Sequence, residues 1–364
     1  MRKKRAASVF LIAVFLIILY FVLFPYPLGR ELVARPSWAM DLTSSSNAAS
    51  IPAGAPAQDR AAPLFPFQLG GLFGYVSPQG ALARAERVLF RVALSSSGFI
   101  NFTRVGTDWL LMDPLGQRRL AFSGNGYPTL SDDGSRIFVV SPELTGVQEV
   151  DANGDPVWSR DLPAVMTSLS ISGDYLLAGL LNGTVQLLNK RGAPVFQAAL
   201  KGSRISVVYG CAVSGSGGLL ASVSGIDPQR LTIFEKSGSS YSVLEKLTLD
   251  TDFRREVRVQ FSPDSRYLLF ESRGSVGLFD PEERRFTRLG TAGALSGAAF
   301  LGSGRIAALA STEGGRVALR VFSPFLAQIS EETFPAGDLF LGTVDGQLLL
   351  GIDGRLLRVN VEAL

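Results

Sequence analysis

Asp151, Asn153 and Asp155 stand in D-x-N-x-D spacing, the opening of an EF-hand loop in which alternate oxygens converge on one calcium ion. The match ends at Pro156, which takes the required glycine position, and at Leu162, which takes that of the bidentate glutamate. These residues therefore read as an inter-strand turn. The glycine-rich SGSGG at 214–218 lacks GxxxxGK[ST] spacing and runs into a strand-like segment, so it reads as a tight turn and not a phosphate loop. Glu282-Glu283 and Glu331-Glu332 are sequence neighbours; on a strand their side chains diverge, which argues against an acid/base pair. The chain has no histidine, which removes Ser-His-Asp and Cys-His nucleophiles, imidazole proton transfer and every histidine-containing zinc site. Cys211 is the only cysteine; it lies in the alternating apolar run VVYGCAVSG and reads as a buried structural thiol. No catalytic constellation, cofactor set or metal set is expected.

Charged residues make up 18% and hydrophobic residues 46% of the 364, enough to bury a large core and too little charge for wholesale disorder. The net charge of +3 owes four positive charges to Arg2, Lys3, Lys4 and Arg5, which leaves the remainder near −1. A nucleic-acid partner would need a basic excess on the folded domain, so none is expected.

Residues 6–24, AASVFLIAVFLIILYFVLF, are uninterruptedly apolar. As a helix they would reach about 28 Å, the depth of a hydrocarbon core. The basic block at 2–5 precedes them and places the N-terminus in the cytoplasm. The expectation is a transmembrane signal-anchor helix over 6–24 after a cytoplasmic segment 1–5, giving a single-pass membrane protein whose remaining domain is extracytoplasmic, periplasmic if bacterial. A cleaved signal peptide is the alternative, but the first small-x-small site, Ser37-Trp38-Ala39, is far downstream. Residues 25–68, rich in Ser, Ala and Pro from Thr43 to Pro66, read as a flexible linker.

Beyond it a unit recurs: a Ser- or Gly-containing turn, an apolar run of five to seven residues, a second turn and another strand. LSDDGSRIFVVS, SISGDYLLAGLLNG, SGSGGLLASVS, FSPDSRYLLFES, LGSGRIAALAS and TVDGQLLLGID are its clearest copies, and LSSSGFINF a weaker first one. The markers Gly98, Gly134, Gly173, Gly217, Ser265, Gly304 and Gly346 are about 41 residues apart on average, the period of a four-stranded propeller blade. DANGDPVW and NKRGAPVF resemble the turn and aromatic of quinoprotein-like (PQQ) repeats, and FSPDSRYLLF is similar to the inner-strand motif of WD40-like and TolB-like blades. The resemblance implies a β-propeller and little about activity. The WD40 Gly-His and Trp-Asp pairs are missing, and a single cysteine cannot supply the vicinal pair of many PQQ dehydrogenases.

The expected architecture is all-β: one propeller over 69–364, of seven four-stranded blades, with the hairpin-like stretch at 72–92 completing the last blade, because closure removes exposed edges. An eighth blade stays open if that hairpin belongs to an irregular extra one. On this reading a chain beginning near Leu69 folds and one beginning near Val92 aggregates. Without recognisable chemistry, the function read from the sequence is a protein-protein scaffold or adaptor, with envelope or membrane proteins as partners. A ligand-binding or enzymatic propeller, holding a sugar, peptide or quinone in its channel, is the alternative. Phe253, Arg254 and Arg255, in the longest interval between markers, form the candidate partner-binding loop, since an aromatic beside guanidinium groups is enriched at interface hot spots.

Overall fold

The computed structural model describes residues 13–17, 19–20, 32–42, 63–104, 106–291, 293–302, 305–311, 315–322, 327–335 and 337–363. Short apolar runs between tight turns set antiparallel strands, and among the described residues the strands gather in eight consecutive units. Strand β1 (Leu32–Asp41) comes first in the chain. Blade 1 holds β2 (Phe65–Leu69), β3 (Leu72–Val76) and β4 (Leu82–Arg87). Blade 2 holds β5 (Arg91–Ser95), β6 (Gly98–Phe102), β7 (Gly106–Met112) and the first part of β8 (Arg118–Leu130). The end of β8 opens blade 3, with β9 (Ile137–Val140), β10 (Gly146–Val150) and β11 (Pro156–Asp161). Blade 4 is β12 (Met166–Ser172), β13 (Tyr175–Leu180), β14 (Thr184–Leu188) and β15 (Pro194–Ala199). Blade 5 is β16 (Ile205–Val213), β17 (Leu219–Ile226), β18 (Gln229–Ser237) and β19 (Ser240–Leu249). Blade 6 is β20 (Val259–Phe261), β21 (Leu268–Ser272), β22 (Ser275–Asp280) and β23 (Arg285–Gly290). Blade 7 is β24 (Leu295–Leu301), β25 (Arg305–Ser311), β26 (Arg316–Phe322) and β27 (Gln328–Pro335). Blade 8 is β28 (Leu339–Val344), β29 (Gln347–Ile352) and β30 (Arg355–Ala363), with β1 on its outer edge.

Two turn chemistries repeat. Between the first and second strands, the Ser131, Ser214 and Ser262 hydroxyls each accept the backbone N–H five residues on, at 2.9–3.0 Å. Between the third and fourth, Asp113, Asp151 and Asn189 accept two N–H groups of their own turn through Oδ1, at 2.7–3.1 Å. These side chains substitute for backbone partners in the way Asx turns do. Asp151 thus spends its carboxylate on Asn153 and Asp155, as the turn reading of that motif expects.

The apolar core is divided among the spaces between blades. Phe73, Tyr75 and Phe99 pack blade 1 on blade 2, and Trp109, Phe122 and Val139 pack blade 2 on blade 3. The series continues around the molecule to Leu301 and Leu348 between blades 7 and 8. Phe67, Val76, Val344 and Leu349 then join blade 8 to blade 1. Eight such clusters close a ring, and each fully buried Leu, Val or Phe in them contributes roughly 1.5–3 kcal/mol.

Ring closure corrects the expected architecture. Among the described residues the blades number eight, not seven, because residues 65–87 make a three-stranded blade of their own instead of completing the last one. That task falls to β1, drawn from within the expected linker 25–68, which pairs antiparallel with β30 from Leu32↔Ala363 to Asp41↔Arg355. Without it β30 would present an open ladder of N–H and C=O groups. The join is also pinned by side chains: Trp38 Nε1 donates to Pro78 O at 2.9 Å and Arg358 Nη1 to the same oxygen at 2.7 Å. Trp158 of β11 makes the same bond to Lys190 O, at 3.1 Å, in the Asn189–Gly192 turn of blade 4. The Ser77–Gly80 turn is therefore a third-to-fourth-strand turn, and blade 1, among the described residues, lacks a first strand.

The membrane expectation is also corrected. Among the described residues no helix is long and apolar enough to cross a membrane. Within 6–24 only residues 13–17 and 19–20 are described, as helix. The rest of that segment, like 1–5 and 43–62, lies outside the described residues. The transmembrane signal-anchor helix, and the single-pass localisation that rested on it, do not stand.

Candidate functional site

The first strands of successive blades face a common centre. Ser168 and Leu169 of β12, Cys211 of β16, Val259 and Gln260 of β20 and Leu295 of β24 line a cavity of about 600 Å³ there. Asp132, Arg255, Glu256, Arg258 and Glu271 bring five ionisable groups to the same cavity. Arg255, Glu256 and Arg258 come from the connection between β19 and β20, residues 250–258, which runs from the outer strand of blade 5 to the first strand of blade 6; Glu271 comes from β21 and Asp132 from the turn between β8 and β9.

That connection contains the candidate loop. Arg255 donates to both carboxylate oxygens of Glu271, through Nη1 to Oε2 at 3.0 Å and through Nη2 to Oε1. The Glu271 side chain is only 3% exposed while that of Arg255 is half exposed, so a buried carboxylate fixes the orientation of an accessible guanidinium. The pairing holds the Arg255 pKa above its usual value. Arg255 also lies over the Phe253 ring, 4.7 Å from its centroid. Phe253 is half-buried against the core between blades 5 and 6, and its carbonyl accepts Gln229 Nε2 at 3.0 Å. Arg254 is exposed. The structure thus separates three residues that look alike in sequence: Phe253 packs, Arg255 pairs, and Arg254 points outward.

Glu271, Arg258 and Asp132 escaped sequence reasoning. Glu271 sits in FSPDSRYLLFES, where strand alternation alone does not reveal its partner on another connection. Arg258 reaches Ala298 O of blade 7 at 3.3 Å, and burial lowers its pKa against the opposing pull of Glu271 and Glu256. Asp132 is raised by loss of solvent first and by the neighbouring Asp133 second.

Cys211 borders the same cavity without offering its thiol. The residue is buried, its sulfur lies 3.5 Å from both Ser168 Oγ and Leu177 O, and burial pushes the thiol up to about 12. Because the thiolate is the nucleophile, iodoacetamide at pH 8 is expected to leave Cys211 unmodified in the native protein and to alkylate it fully in 6 M guanidinium, read by intact mass. Native-state alkylation at the rate of a free thiol would contradict this placement.

A family model described as beta-propeller protein matches residues 1–364. A protein of Treponema pallidum (strain Nichols), described as uncharacterized, is 24% identical over 369 residues, covering 100% of this chain and 96% of its own. The crystal structure of BamB from Moraxella catarrhalis superposes with a TM-score of 0.59 at 15% identity, over 90% of this chain and 100% of that one. The fold is what these similarities carry; they do not bring the repeat chemistry of WD40-like or quinoprotein-like blades.

Proposed function

We propose, from the premise that this chain belongs to the beta-propeller protein family, that it is a non-catalytic scaffold binding other proteins through the face on which the β19–β20 connection lies. The observation that carries this reading is the held guanidinium of Arg255, fixed by buried Glu271 and stacked on Phe253, with Arg254 exposed beside it. Binding residues concentrate on loops positioned by a rigid scaffold, and a pre-oriented arginine loses less freedom on association than a free one.

The test separates packing from recognition. A photo-crosslinking amino acid at position 254 is expected to give a discrete adduct with a different protein, and Arg254→Glu to reduce recovery of that partner at least tenfold with unchanged melting temperature. Replacing Phe253, Arg254 and Arg255 together by alanine is expected to reduce recovery too, but with some loss of stability, because Glu271 is left buried without its partner. Undiminished recovery from Arg254→Glu assigns the loop to packing. The second reading, a small polar ligand in the channel, is favoured by the charged lining of the 600 Å³ cavity. It predicts a ligand-dependent rise in melting temperature that Arg258→Ala abolishes.

A further inference from the structure

The wall that blade 6 turns to the channel carries a row of polar side chains. From Glu256 to Gln260 burial alternates: Glu256, Arg258 and Gln260 are exposed, Val257 is buried and Val259 half-buried. Val257 belongs to the core between blades 5 and 6, and Val259 packs against it. Pairing holds the stretch extended, because Val257 N donates to Tyr209 O at 2.8 Å, Glu271 N donates to Arg258 O at 2.9 Å, and Val259 stands opposite Phe270. Alternate residues of an extended chain share a side. The side chains of Glu256, Arg258 and Gln260 therefore stand in line along the cavity of about 600 Å³ that all three border.

The charges in this row are not spent on one another. A guanidinium has five N–H donors, and Arg258 gives one of them to Ala298 O at 3.3 Å. Glu271, opposite Arg258 in the ladder, already holds Arg255 with both carboxylate oxygens. Among the described residues no ion pair includes Arg258, Glu256 or Asp132, the other carboxylate on the cavity. An anionic ligand would meet Glu256 and Asp132 as well as Arg258, and a cationic one would meet Arg258, so a ligand of one sign is repelled by part of the wall. A ligand carrying both signs is matched. Spacing sets its length: Glu256 and Arg258 are two residues apart, about 6.6 Å at 3.3 Å per extended residue. An extended dipeptide with free ends separates its two charges by about 7 Å, whereas a single amino acid spans roughly half of that.

We propose that the channel binds a zwitterionic dipeptide along the start of blade 6, with its carboxylate on Arg258 and its ammonium on Glu256. Leu169 and Leu295, both half-buried, supply apolar lining for small side chains. The inference deepens the reading of the channel as a site for a small polar ligand and rests on it; the scaffold reading does not depend on it.

The probes are alanyl-alanine, its N-acetyl form, its C-terminal amide, the form blocked at both ends, and alanine, each titrated into the full chain by isothermal calorimetry. The expected result is saturable one-to-one binding of alanyl-alanine, at least tenfold weaker binding of each singly blocked form, and weaker binding of alanine. Arg258→Gln is expected to erase the preference for the free carboxylate over the amide, and Glu256→Gln the preference for the free amine over the acetylated one, with unchanged circular dichroism. The comparison of probes uses the unaltered chain, so it decides the matter even where a variant fails to fold. Tighter binding of alanine, or preferences that persist in both folded variants, would overturn the proposal. If the doubly blocked form binds as well as the free one, the dipeptide assignment falls and the channel still takes a small polar ligand. If no probe binds or raises the melting temperature, the proposal falls and the reading of the channel as a ligand site is weakened with it, while the adduct at position 254 tests the scaffold reading separately.

Discussion

A chain shortened to begin at Pro63 is expected to lose cooperative folding, while one beginning at Glu31 keeps it. The difference is β1. Its removal takes away the outer ladder of blade 8 along the whole Leu32–Asp41 register. It also removes the Trp38 bond to Pro78 and buried Leu42 from the joint between blades 8 and 1. Losing a large buried aromatic alone costs on the order of 3–5 kcal/mol in a core, less for half-buried Trp38, and whole domains have only about 5–15 kcal/mol to lose. Urea unfolding followed by tryptophan fluorescence and near-ultraviolet circular dichroism provides the measure, with the shortened chain showing a broad or absent transition. A synthetic peptide of residues 31–42 added in excess should restore the transition, since it binds only the folded ring. An unchanged urea midpoint after removal of β1 would show that the join between blades 8 and 1 holds without it. The sensitive boundary thereby moves from the stretch between Leu69 and Val92, where sequence reasoning sets it, to Leu32.

Glu149→Ala is expected to destabilise the protein by about 3–5 kcal/mol, the cost of leaving one partner of a buried ion pair alone. Arg136 and Glu149 meet in two parallel bonds, Nε to Oε1 at 2.8 Å and Nη2 to Oε2 at 2.7 Å. Both side chains are almost wholly buried. The same carboxylate accepts Trp158 Nε1 at 2.6 Å, and the Arg136 guanidinium lies 4.8 Å from the centroid of the Phe138 ring. The site thus ties blade 3 together and, through Arg136 Nη1 to Gly173 O at 3.3 Å, reaches blade 4. Glu149→Gln should cost less, because the amide oxygen still accepts from Arg136 while the charge is lost. Arg136→Met with Glu149→Leu should lie closer to the unaltered protein than Glu149→Ala does, since replacing both charges by apolar groups removes the burial cost. Urea midpoints of the four proteins decide it. A double variant no more stable than Glu149→Ala would mean that the pair contributes net stability beyond its own desolvation.

Local rules written in short stretches of chain were legible before any coordinates. The turn glycines and serines recur near the blade period, and the Asp and Asn residues of the third-to-fourth-strand turns sit where their side chains bind their own backbone. Short apolar runs such as YLLF and TVQLL between tight turns mark strands buried on both faces, so propeller class and most blade positions follow from composition and period. The absence of histidine likewise removes whole classes of chemistry without reference to shape. The isolated apolar run at 6–24 shows the opposite case, where a strong local signal led to a topology that the described helix does not support.

Facts that depend on who meets whom across the ring had no local signature. β1 lies in a stretch that reads as linker because its ladder partner is more than 300 residues away, at the far end of the chain, and edge pairing leaves little trace in one strand alone. The blade count turned on that same partner: once β1 fills the last blade, residues 65–87 are free to form another. Arg255 looked like a free hot-spot residue beside Arg254 until blade 6 brought Glu271 beneath it. Period and turn chemistry are properties of the chain read in order, whereas closure, ion pairing and surface are set by burial among residues distant in sequence, and only the tertiary structure decided them.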